Sequence, residues 1–407
     1  MDTKNSVLRT KFFDRMCHWT MVACFFLVAM SGLSWFFPSL NWLGNVLGTP
    51  QTARILHPFL GTVVFLLLVV MFFRFVHHNL LVKTDTIWFR HVVDVLMNRH
   101  DKKLRAIEPI ILPRLAVLYR RRAERLRQLE QQAQTATGEG EPISGREGYL
   151  GFAARVVDEQ ARLLADAPLS AEEAIPVSAL LGDGLSGAER PSVAMLARCA
   201  YWQEAFRGIV ENLSPFMPEP AAAGLVDLMY ADRSELAAKA AALMAGDYAA
   251  VDAGRSVFLW AALSVFWAQA VALATPHAAQ GEVLETGGAR CPCCGAPPSG
   301  GLVLTGDREG LRYLQCSLCE TRWHKVRATC SVCGGTDHVD YWSFETTDAA
   351  IQGETCGDCH GYIKIFRQDR EPALEVVADD LASLGLDTAL EQQDFVRATL
   401  NPFAFPV

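Results

Sequence analysis

The sequence predicts a chain of the α plus small β class. A two-helix transmembrane hairpin comes first, an all-α helical bundle follows, and two small tandem metal-binding modules come last. Three observations lead to this prediction: two long apolar runs within the first 75 residues, an alanine- and leucine-rich middle, and four C-x-x-C pairs between Cys291 and Cys359. We expect the hairpin over 1–100, the bundle over 101–284, the modules over 285–370, and a C-terminal helix and tail over 371–407.

The composition is that of a folded protein with a membrane-proximal region. Of the 407 residues, 51% are hydrophobic and 20% are charged, a balance that excludes an intrinsically disordered chain. The first 100 residues carry nine Lys and Arg against four Asp and Glu, whereas the other 307 carry 28 against 41. An acidic body argues against general binding of nucleic acid, because that binding depends on neutralising phosphates.

Two apolar runs predict the hairpin. No Asp, Glu, Lys or Arg occurs between Arg15 and Arg54, and the run over 17–37 has the roughly 20 residues needed to cross a bilayer. A second run covers 55–73. A cleavable signal peptide is the alternative for the first run. It is disfavoured because a second span follows at once and no small-x-small cleavage site is clear.

The flanking cations predict the orientation of the hairpin. Four basic residues precede the first span and three follow the second, whereas the connecting loop has only Arg54. The positive-inside rule therefore places both termini and the main body in the cytoplasm, with the hairpin in the inner (cytoplasmic) membrane. If the hairpin were a sequence artefact, the protein would be cytoplasmic. Either location agrees with reduced cysteines.

Two histidines lie in the hairpin, His18 at the cytoplasmic start of the first span and His57 at the outer start of the second. A histidine in a membrane segment is a candidate functional residue, and axial haem ligation is one such role. Interfacial histidines that stay in contact with water are the alternative. The two lie near opposite faces of a ~30 Å layer, so we do not expect them to share one haem.

The first part of the chain resembles a known membrane family. The segments Arg9–Gly32 (RTKFFDRMCHWTMVACFFLVAMSG), Gly48–Phe59 (GTPQTARILHPF) and Met71–Asn79 (MFFRFVHHN) are similar to the start of the cytochrome b-type gamma subunit of membrane-bound formate dehydrogenase. In that family four histidines bind two haems b, and His18 and His57 match two of them. The helices that carry the other two are absent here. The resemblance therefore implies a membrane anchor in which each haem b would keep one ligand from this chain.

The middle of the chain predicts helices. Ile107–Gln132 has the pattern of a helix that begins after Pro109 and Pro113, with one apolar and one basic face. The basic face is either solvated beside nearby glutamates or a docking face for an acidic partner segment; its arginines are Arg114, Arg120, Arg121, Arg122, Arg125 and Arg127. From residue 149 to 279 we expect five to seven helices.

One segment of the bundle permits two interpretations. No charged residue occurs between Arg255 and Glu282, so its length allows a third membrane span. Gln269 near its middle and the lack of a basic flank favour a buried central helix of the bundle instead. A third span would also place the cysteine-rich region outside the cell.

The four C-x-x-C pairs are the strongest signal in the sequence. Their spacing is C-x2-C-x21-C-x2-C and then, after ten residues, C-x2-C-x22-C-x2-C, so that one pattern occurs twice. Four thiolates meet the tetrahedral demand of zinc or of a single iron ion. We predict two sites. Site 1 consists of Cys291, Cys294, Cys316 and Cys319, and site 2 of Cys330, Cys333, Cys356 and Cys359.

Strand patterns between the pairs indicate two tandem rubredoxin-like or zinc-ribbon modules. Gly301–Cys316 and His338–Thr346 have the pattern of β-hairpins, and Gly295, Gly334 and Gly361 provide tight-turn backbone. Redox-active dithiols or disulfides are the alternative, which the duplicated spacing disfavours. The neighbouring Cys293, His324 and His360 are expected to be bystanders.

These residues also carry a second resemblance, over roughly 105–407. The ordered motifs IEPIILPRLAVLYRRRAERL, FLWAALSVFWAQ, CPCCG, GLRYLQCSLCETRWHKVRATC and VADDLASL…NPFAFP are similar to the FdhE family of formate dehydrogenase accessory proteins. The resemblance implies a cytoplasmic maturation factor that binds the catalytic subunit before export. It also implies that the eight paired cysteines hold two iron or zinc ions. The family lacks the membrane hairpin, so we interpret the chain as a fusion, either natural or from a sequence error.

The predicted function is therefore accessory rather than enzymatic. Closed tetrathiolate sites leave no open position for metal-assisted hydrolysis, and we find no phosphate loop, nucleophile elbow or dinucleotide motif. One alternative is an electron carrier in which rubredoxin-like iron exchanges electrons with haem b held by His18 or His57. Another is a zinc-ribbon binder of nucleic acid, based on a modest basic stretch that comprises Arg308, Arg312, Arg322, Lys325 and Arg327.

Overall fold

The structure is a computed structural model that describes residues 12–76, 107–137, 146–181, 191–278, 288–344, 346 and 348–406. The chain divides into two compact units, Met1–Ala106 and Ile107–Val407. Several sequence features lie outside the described residues. These are the histidine pair His77 and His78 just beyond the second span, the basic flanks Lys4, Arg9, Lys11, Lys83 and Arg90, and the glycine-rich segment Gly182–Gly187, where the sequence predicts a break between helices.

The first unit contains the predicted helical hairpin. Helix α1 spans Phe12–Phe36, a 3-10 segment spans Pro38–Leu47, and helix α2 spans Pro50–Phe75. The Thr49 side chain caps α2 by accepting a hydrogen bond from the Thr52 backbone N–H. Both helices are long and apolar enough to cross a membrane, and most of their large apolar side chains are exposed. Such a surface is stable in lipid rather than in water.

The second unit begins with a short strand, which the sequence pattern did not predict. Ile110–Ile111 forms strand β1, and helix α3 spans Leu115–Thr137. The helix therefore begins two residues after Pro113, in agreement with the predicted start after the two prolines. Proline favours such a boundary, because it disfavours helical backbone in the residue before it.

Eight helices follow between residues 146 and 278, apart from the undescribed residues there, where five to seven were expected. The excess comes from short helices around the prolines at 215–220. The helices are α4 (Arg146–Asp166), α5 (Ile175–Leu181), α6 (Val193–Arg198), α7 (Ala200–Leu213), α8 (Glu219–Ala223), α9 (Val226–Tyr230), α10 (Arg233–Ala245) and α11 (Ala253–Ala278).

Helix α11 is the buried centre of this bundle. It is long and apolar enough to span a membrane, but 83% of its most apolar stretch is buried inside the folded unit. Gln269 is satisfied within the core, since its amide accepts from the Leu169 N–H and donates to the Tyr201 hydroxyl. The interpretation as a central helix thus agrees with the structure, and the polar residue ties α11 to two neighbours.

The cysteine-rich region contains both predicted cysteine modules, and their strands belong to one continuous sheet. Its further strands are β2 (Pro298–Val303), β3 (Arg312–Cys316), β4 (Arg322–His324), β5 (Val339–Trp342), β6 (Ile351–Cys356), β7 (Gly361–Arg367) and β8 (Val396–Arg397). The order is β1-β4-β3-β2-β7-β6-β5, with β8 on β7. Parallel pairing of β2 with β7 joins the two halves. The first predicted hairpin, Gly301–Cys316, is confirmed as β2–β3. The second predicted segment, His338–Thr346, contains one described strand, β5, which pairs antiparallel with β6 further along the chain.

The C-terminal segment is an integral part of the second unit. Helices α12 (Val376–Ala382) and α13 (Leu384–Glu391) follow the sheet. In the tail beyond them, the Phe405 ring packs edge-on against Trp260 of α11, with centroids 5.6 Å apart. The Tyr149 hydroxyl donates to the Phe403 carbonyl at 2.6 Å. The tail therefore closes the helical core.

Candidate metal centres

The structure brings the four cysteines of site 1 together. The Sγ atoms of Cys291 and Cys319 lie 3.5 Å apart, and those of Cys294 and Cys316 lie 3.4 Å apart. All four sulfurs lie within 4.8 Å of one another, and all four residues are buried. Each C-x-x-C pair forms a tight turn, here called a knuckle. One knuckle of site 1 precedes strand β2 and the other follows strand β3, and the antiparallel pairing of β2 with β3 holds the two knuckles side by side.

Site 2 has the same arrangement with a more open geometry. The Cys330–Cys359 and Cys333–Cys356 sulfur pairs are each 3.8 Å apart, again with all four within 4.8 Å. One knuckle precedes β5, and the other joins β6 to β7. Cys333 and Cys359 are exposed, whereas Cys330 and Cys356 are buried.

These distances fit a tetrahedral tetrathiolate centre. A zinc–sulfur bond of about 2.3 Å places the corners of a regular tetrahedron about 3.8 Å apart, close to the separations in both sites. Backbone N–H groups also point at the sulfurs, as a thiolate requires. Leu318 and Cys319 donate to the Cys316 sulfur, and Val332 and Cys333 donate to the Cys330 sulfur, at 3.3–3.4 Å. Each cluster could therefore hold one metal ion.

All four knuckles share one backbone feature. The residue after the second cysteine adopts left-handed backbone, with φ of 72° at Gly295, 60° at Glu320, 81° at Gly334 and 54° at His360. This conformation lets the chain turn back beneath the metal position. Gly361 is not among these residues, which corrects the expectation for it. It is a strand residue, and an added Cβ there would meet the Cys359 sulfur at 3.3 Å and Val332 at 3.0 Å.

Site 1 is embedded between the sheet and the helical bundle. Trp260 of α11 donates its ring N–H to the Ser317 carbonyl, and Ser264 donates its hydroxyl to the Leu318 carbonyl, at 2.9 and 2.7 Å. The buried Arg122 of α3 binds both carboxylate oxygens of Glu320 at 2.7 and 2.8 Å. One knuckle is thus tied to two helices, which explains why a non-glycine residue is held in left-handed backbone at position 320.

Site 2 is tied to the sheet by a buried ion pair. Buried Arg312 pairs with buried Glu354 and donates to the Ser331 hydroxyl at 3.1 Å. Glu354 in turn accepts from the Ser331 backbone N–H at 3.1 Å. On the solvent side, His338 and Asp358 pair at 2.7 Å in an exposed position. Of the two knuckles, only the one that contains Ser331 is tied into this buried network.

The acid–base properties of the thiols fit sites that need a cation. Burial raises the pKa of the Cys291, Cys294 and Cys316 thiols well above the usual range. Burial also raises the pKa of Cys359 to about 12, whereas a backbone hydrogen bond from Gly335 lowers the pKa of Cys333. Most of these thiols would therefore hold protons at neutral pH until a metal ion displaces them.

The neighbouring bystander candidates lie outside both clusters. Buried Cys293 is not among the four sulfurs of site 1. His324 stacks edge-on against Tyr313, with centroids 5.5 Å apart. His360 lies beside the Phe395 ring, with centroids 6.1 Å apart.

The basic stretch around the Cys316–Cys319 knuckle is not a continuous surface. Arg312 is buried in its pair with Glu354, and Lys325 is buried as well. Arg308 pairs with Glu108 at 2.5 Å. Because two of its five cations are buried, the stretch does not present the continuous basic surface that binding along a nucleic-acid backbone requires.

The basic face of α3 meets an acidic segment of the chain itself, an arrangement that neither sequence interpretation anticipated. Arg122 pairs with Glu375 at 3.0 Å as well as with Glu320. Arg125 is buried against Asp379, with its closest contact at 2.7 Å. These acids lie about 200–250 residues away in sequence, which is why local patterns could not pair them.

The hairpin histidines lie at different depths and face different surroundings. His57 bonds the Ser31 hydroxyl through Nδ1 at 2.7 Å and lies 4.7 Å from the Trp35 ring centroid. Ser31 is thirteen residues beyond His18 along α1, a separation of about 20 Å. His18 itself is exposed. Residues 12–76 contain only these two histidines, so the described hairpin does not supply the histidine pair that a bis-histidine haem needs.

Comparison with known proteins identifies three family models in the second unit. The FdhE N-terminal, central and C-terminal models match residues 107–285, 290–327 and 328–404. In front of them, the prokaryotic cytochrome b561 model matches residues 9–117. The boundary between the two kinds of match falls close to the boundary between the two compact units.

Relatives of the second unit align over nearly their whole length. The FdhE homologue of Cronobacter sakazakii is 41% identical over 313 residues, which cover 76% of this chain and 96% of that protein. FdhE of Salmonella paratyphi B is 40% identical over 316 residues, with 77% and 96% covered. The crystal structure of FdhE from Pseudomonas aeruginosa superposes with a TM-score of 0.59 at 30% identity, covering 73% of this chain and 98% of that one. The chain therefore belongs to the FdhE family.

Proposed function

We propose that the protein is an accessory factor for respiratory formate dehydrogenase that binds the catalytic subunit in the cytoplasm and is not itself an enzyme. The alignment with nearly the whole length of FdhE proteins carries this proposal. The three FdhE models also match in order over 107–404, so that the helical and cysteine-rich parts are both represented.

The eight paired cysteines are proposed to hold one zinc or iron ion in each site, with a structural role. Four sulfurs at nearly tetrahedral separations fill the coordination sphere, which leaves no position for a substrate. The ties from site 1 to Trp260, Ser264 and Arg122 support the structural role, because they make one knuckle part of the helical core.

The hairpin is proposed to tether the factor to the inner membrane, with both termini in the cytoplasm. Its two helices of 25 and 26 residues are long enough to span a bilayer and expose their apolar side chains. A tether would raise the local concentration of the accessory unit where membrane-bound formate dehydrogenase assembles.

Complementation tests the accessory role and the tether separately. The full chain and a 107–407 fragment are each expressed in cells that lack their own FdhE, and formate dehydrogenase activity is assayed in membranes. We expect both to restore activity, with the full chain active at lower expression. If neither restores activity although both fold, the accessory function is wrong. If the full chain fractionates as a soluble protein, the tether is wrong.

Co-purification tests the proposed partner. An affinity tag on the 107–407 fragment should retain the formate dehydrogenase catalytic subunit from a detergent-free extract. The matched control is a zinc-ribbon protein that carries the same tag and is unrelated to FdhE. Retention of the subunit by both baits, or by neither, would contradict specific binding.

The cytochrome b561 match favours one second function, electron transfer between haem b and rubredoxin-like iron. The described hairpin supplies at most one histidine to each haem, and this weighs against electron transfer. A visible absorption spectrum of detergent-extracted protein, oxidised and then reduced with dithionite, separates the two functions. Stoichiometric haem bands would favour electron transfer. Bleachable ferric tetrathiolate bands without haem would indicate iron in an accessory protein, and a colourless sample would exclude electron transfer.

A further inference from the structure

A cavity of about 660 Å³ lies beside site 1, on the side where the second unit begins. The segment before α3, the start of α3, the residues around β4 and the segment before α12 enclose it. Its volume falls within the range of small-molecule sites, roughly 300–1,000 Å³. The wall is about half apolar, with Ile110, Val117 and Leu374 among the apolar residues.

Three arginines of this wall have no carboxylate partner among the described residues. Arg322 donates its Nε–H to the neutral amide oxygen of Gln315 at 3.0 Å. Arg121 donates to the backbone carbonyls of Pro372 and Leu374 at 2.5 and 2.9 Å. Arg114 is exposed at the start of α3 and forms no ion pair within the described part of the chain. Three guanidinium groups are therefore available to an anion.

The carboxylates of the wall are already engaged. Glu320 and Glu375 both bind Arg122, which lies behind them, and Glu108 binds Arg308. With Arg122 included, five guanidinium groups meet three carboxylates, which leaves two positive charges in excess. Burial lowers the pKa of Arg322; the charges of Glu375 and Glu320 raise it, and the nearby cations Arg121 and Arg122 lower it. Clustered cations of this kind are unfavourable without a counter-anion.

We propose that this cavity binds a small molecule that carries a phosphate group, with the phosphate oxygens accepting hydrogen bonds from Arg114, Arg121 and Arg322. A phosphate monoester carries close to two negative charges at neutral pH, which matches the excess of positive charge in the wall. Arginine presents its donors in a planar fork that suits phosphate oxygens. The organic part of the ligand would contact the apolar part of the wall. This proposal is independent of the accessory function.

The test is a titration of the full chain in detergent at constant ionic strength. The probes are inorganic phosphate, a nucleoside monophosphate and short-chain phosphatidic acid. Binding is measured by calorimetry and by the shift of the thermal unfolding midpoint. Arg114→Gln is the test variant and Arg120→Gln the matched control. Both arginines are exposed, Arg114 immediately before α3 and Arg120 within it, but only Arg114 lines the cavity. Because both side chains are exposed, both variants are expected to fold, which circular dichroism checks.

The expected result is saturable binding of at least one probe, weakened roughly tenfold by Arg114→Gln and unchanged by Arg120→Gln. The probe that binds most tightly distinguishes free phosphate, a soluble phosphate ester and a lipid headgroup as the source. Absence of saturable binding of all three probes would overturn the proposal. Equal weakening by both variants would also overturn it, because it would indicate general attraction to a basic helix.

Discussion

The two cysteine sites have nearly the same ligand spacing and very different surroundings. In site 1 all four cysteines are buried, and one knuckle is bonded to α3 and to α11. In site 2, Cys333 and Cys359 are exposed, and the Ser331 knuckle is tied to the buried Arg312–Glu354 pair of the sheet. The cysteine ligands therefore predict which metal ions each site can bind, whereas the neighbouring helices and strands determine which part of the fold depends on each site.

The difference arises from where each knuckle lies in the common sheet. The Cys316–Cys319 knuckle connects β3 to β4, and the carbonyls of Ser317 and Leu318 face α11. The knuckles of site 2 adjoin β5, β6 and β7, toward the other edge of the sheet. We infer that site 1 is coupled to the helical core and that site 2 is a peripheral site whose loss has local effects.

The largest expected effect comes from removing one ligand of each site. Cys316 and Cys356 are both almost fully buried, so serine at either position removes a similar thiol. Cys316→Ser should abolish the cooperative unfolding transition of the 107–407 fragment, because a structural zinc site contributes about 10–16 kcal/mol in small domains. Cys356→Ser should keep native helix content and one metal ion per chain. Circular dichroism and elemental analysis measure these outcomes.

Cys293→Ser is the control for this pair. Cys293 is as buried as the ligands but lies outside the cluster, so its variant should keep two metal ions. If Cys356→Ser unfolded the helices as completely as Cys316→Ser, the inferred difference between a coupled and a peripheral site would be wrong.

The second effect tests the arginines that anchor each site. Arg122→Met leaves Glu320 and Glu375 buried without their cation and should destabilise the fragment by about 3–5 kcal/mol. Arg312→Met should cost a similar amount and should also loosen the Ser331 knuckle, so that site 2 retains less metal. Denaturant midpoints and metal content distinguish the two. Arg120→Met, on the exposed side of α3, should stay within about 0.5 kcal/mol of the parent; an equal loss there would show that the buried pairs are not the cause.

Local patterns were sufficient for the features that depend on nearby residues. The spacing of the eight cysteines predicted which sulfurs come together, because a C-x-x-C turn and a hairpin are short-range structures. The apolar runs likewise predicted the helices α1 and α2. Gly295 and Gly334 were recognisable as turn residues, since left-handed backbone favours glycine.

The features that sequence reasoning missed depend on distant contacts. Arg122 and Glu320 are 198 residues apart, and no local pattern indicates that they pair. The parallel pairing of β2 with β7, which fuses the two modules, also joins distant segments. Glu320 and His360 occupy left-handed positions that residue type alone argues against, and only their equivalence to Gly295 and Gly334 in the repeated knuckle could have indicated them.

The third effect is the order in which a chelator removes the metals. Since Cys333 and Cys359 are exposed, a chelator should reach site 2 directly, whereas site 1 should release its ion only when the core opens. A chromogenic chelator should therefore report two kinetic phases, each of one metal per chain. Cys356→Ser should lack the fast phase. A single phase of two metals would contradict the difference in accessibility.

The smallest effect tests the backbone feature that both sites share. Gly334 has φ of 81°, and a Cβ there would meet no atom within 4 Å, so Gly334→Ala should cost about 1 kcal/mol from backbone strain alone. Gly208→Ala is the matched control, because Gly208 lies inside helix α7 and is equally uncrowded. There the same substitution should stabilise the fragment by up to about 1 kcal/mol. If the two substitutions shift the unfolding midpoint in opposite directions, the loss of stability at Gly334 arises from its left-handed backbone. Equal shifts would show that the left-handed turn at Gly334 does not contribute to the stability of site 2.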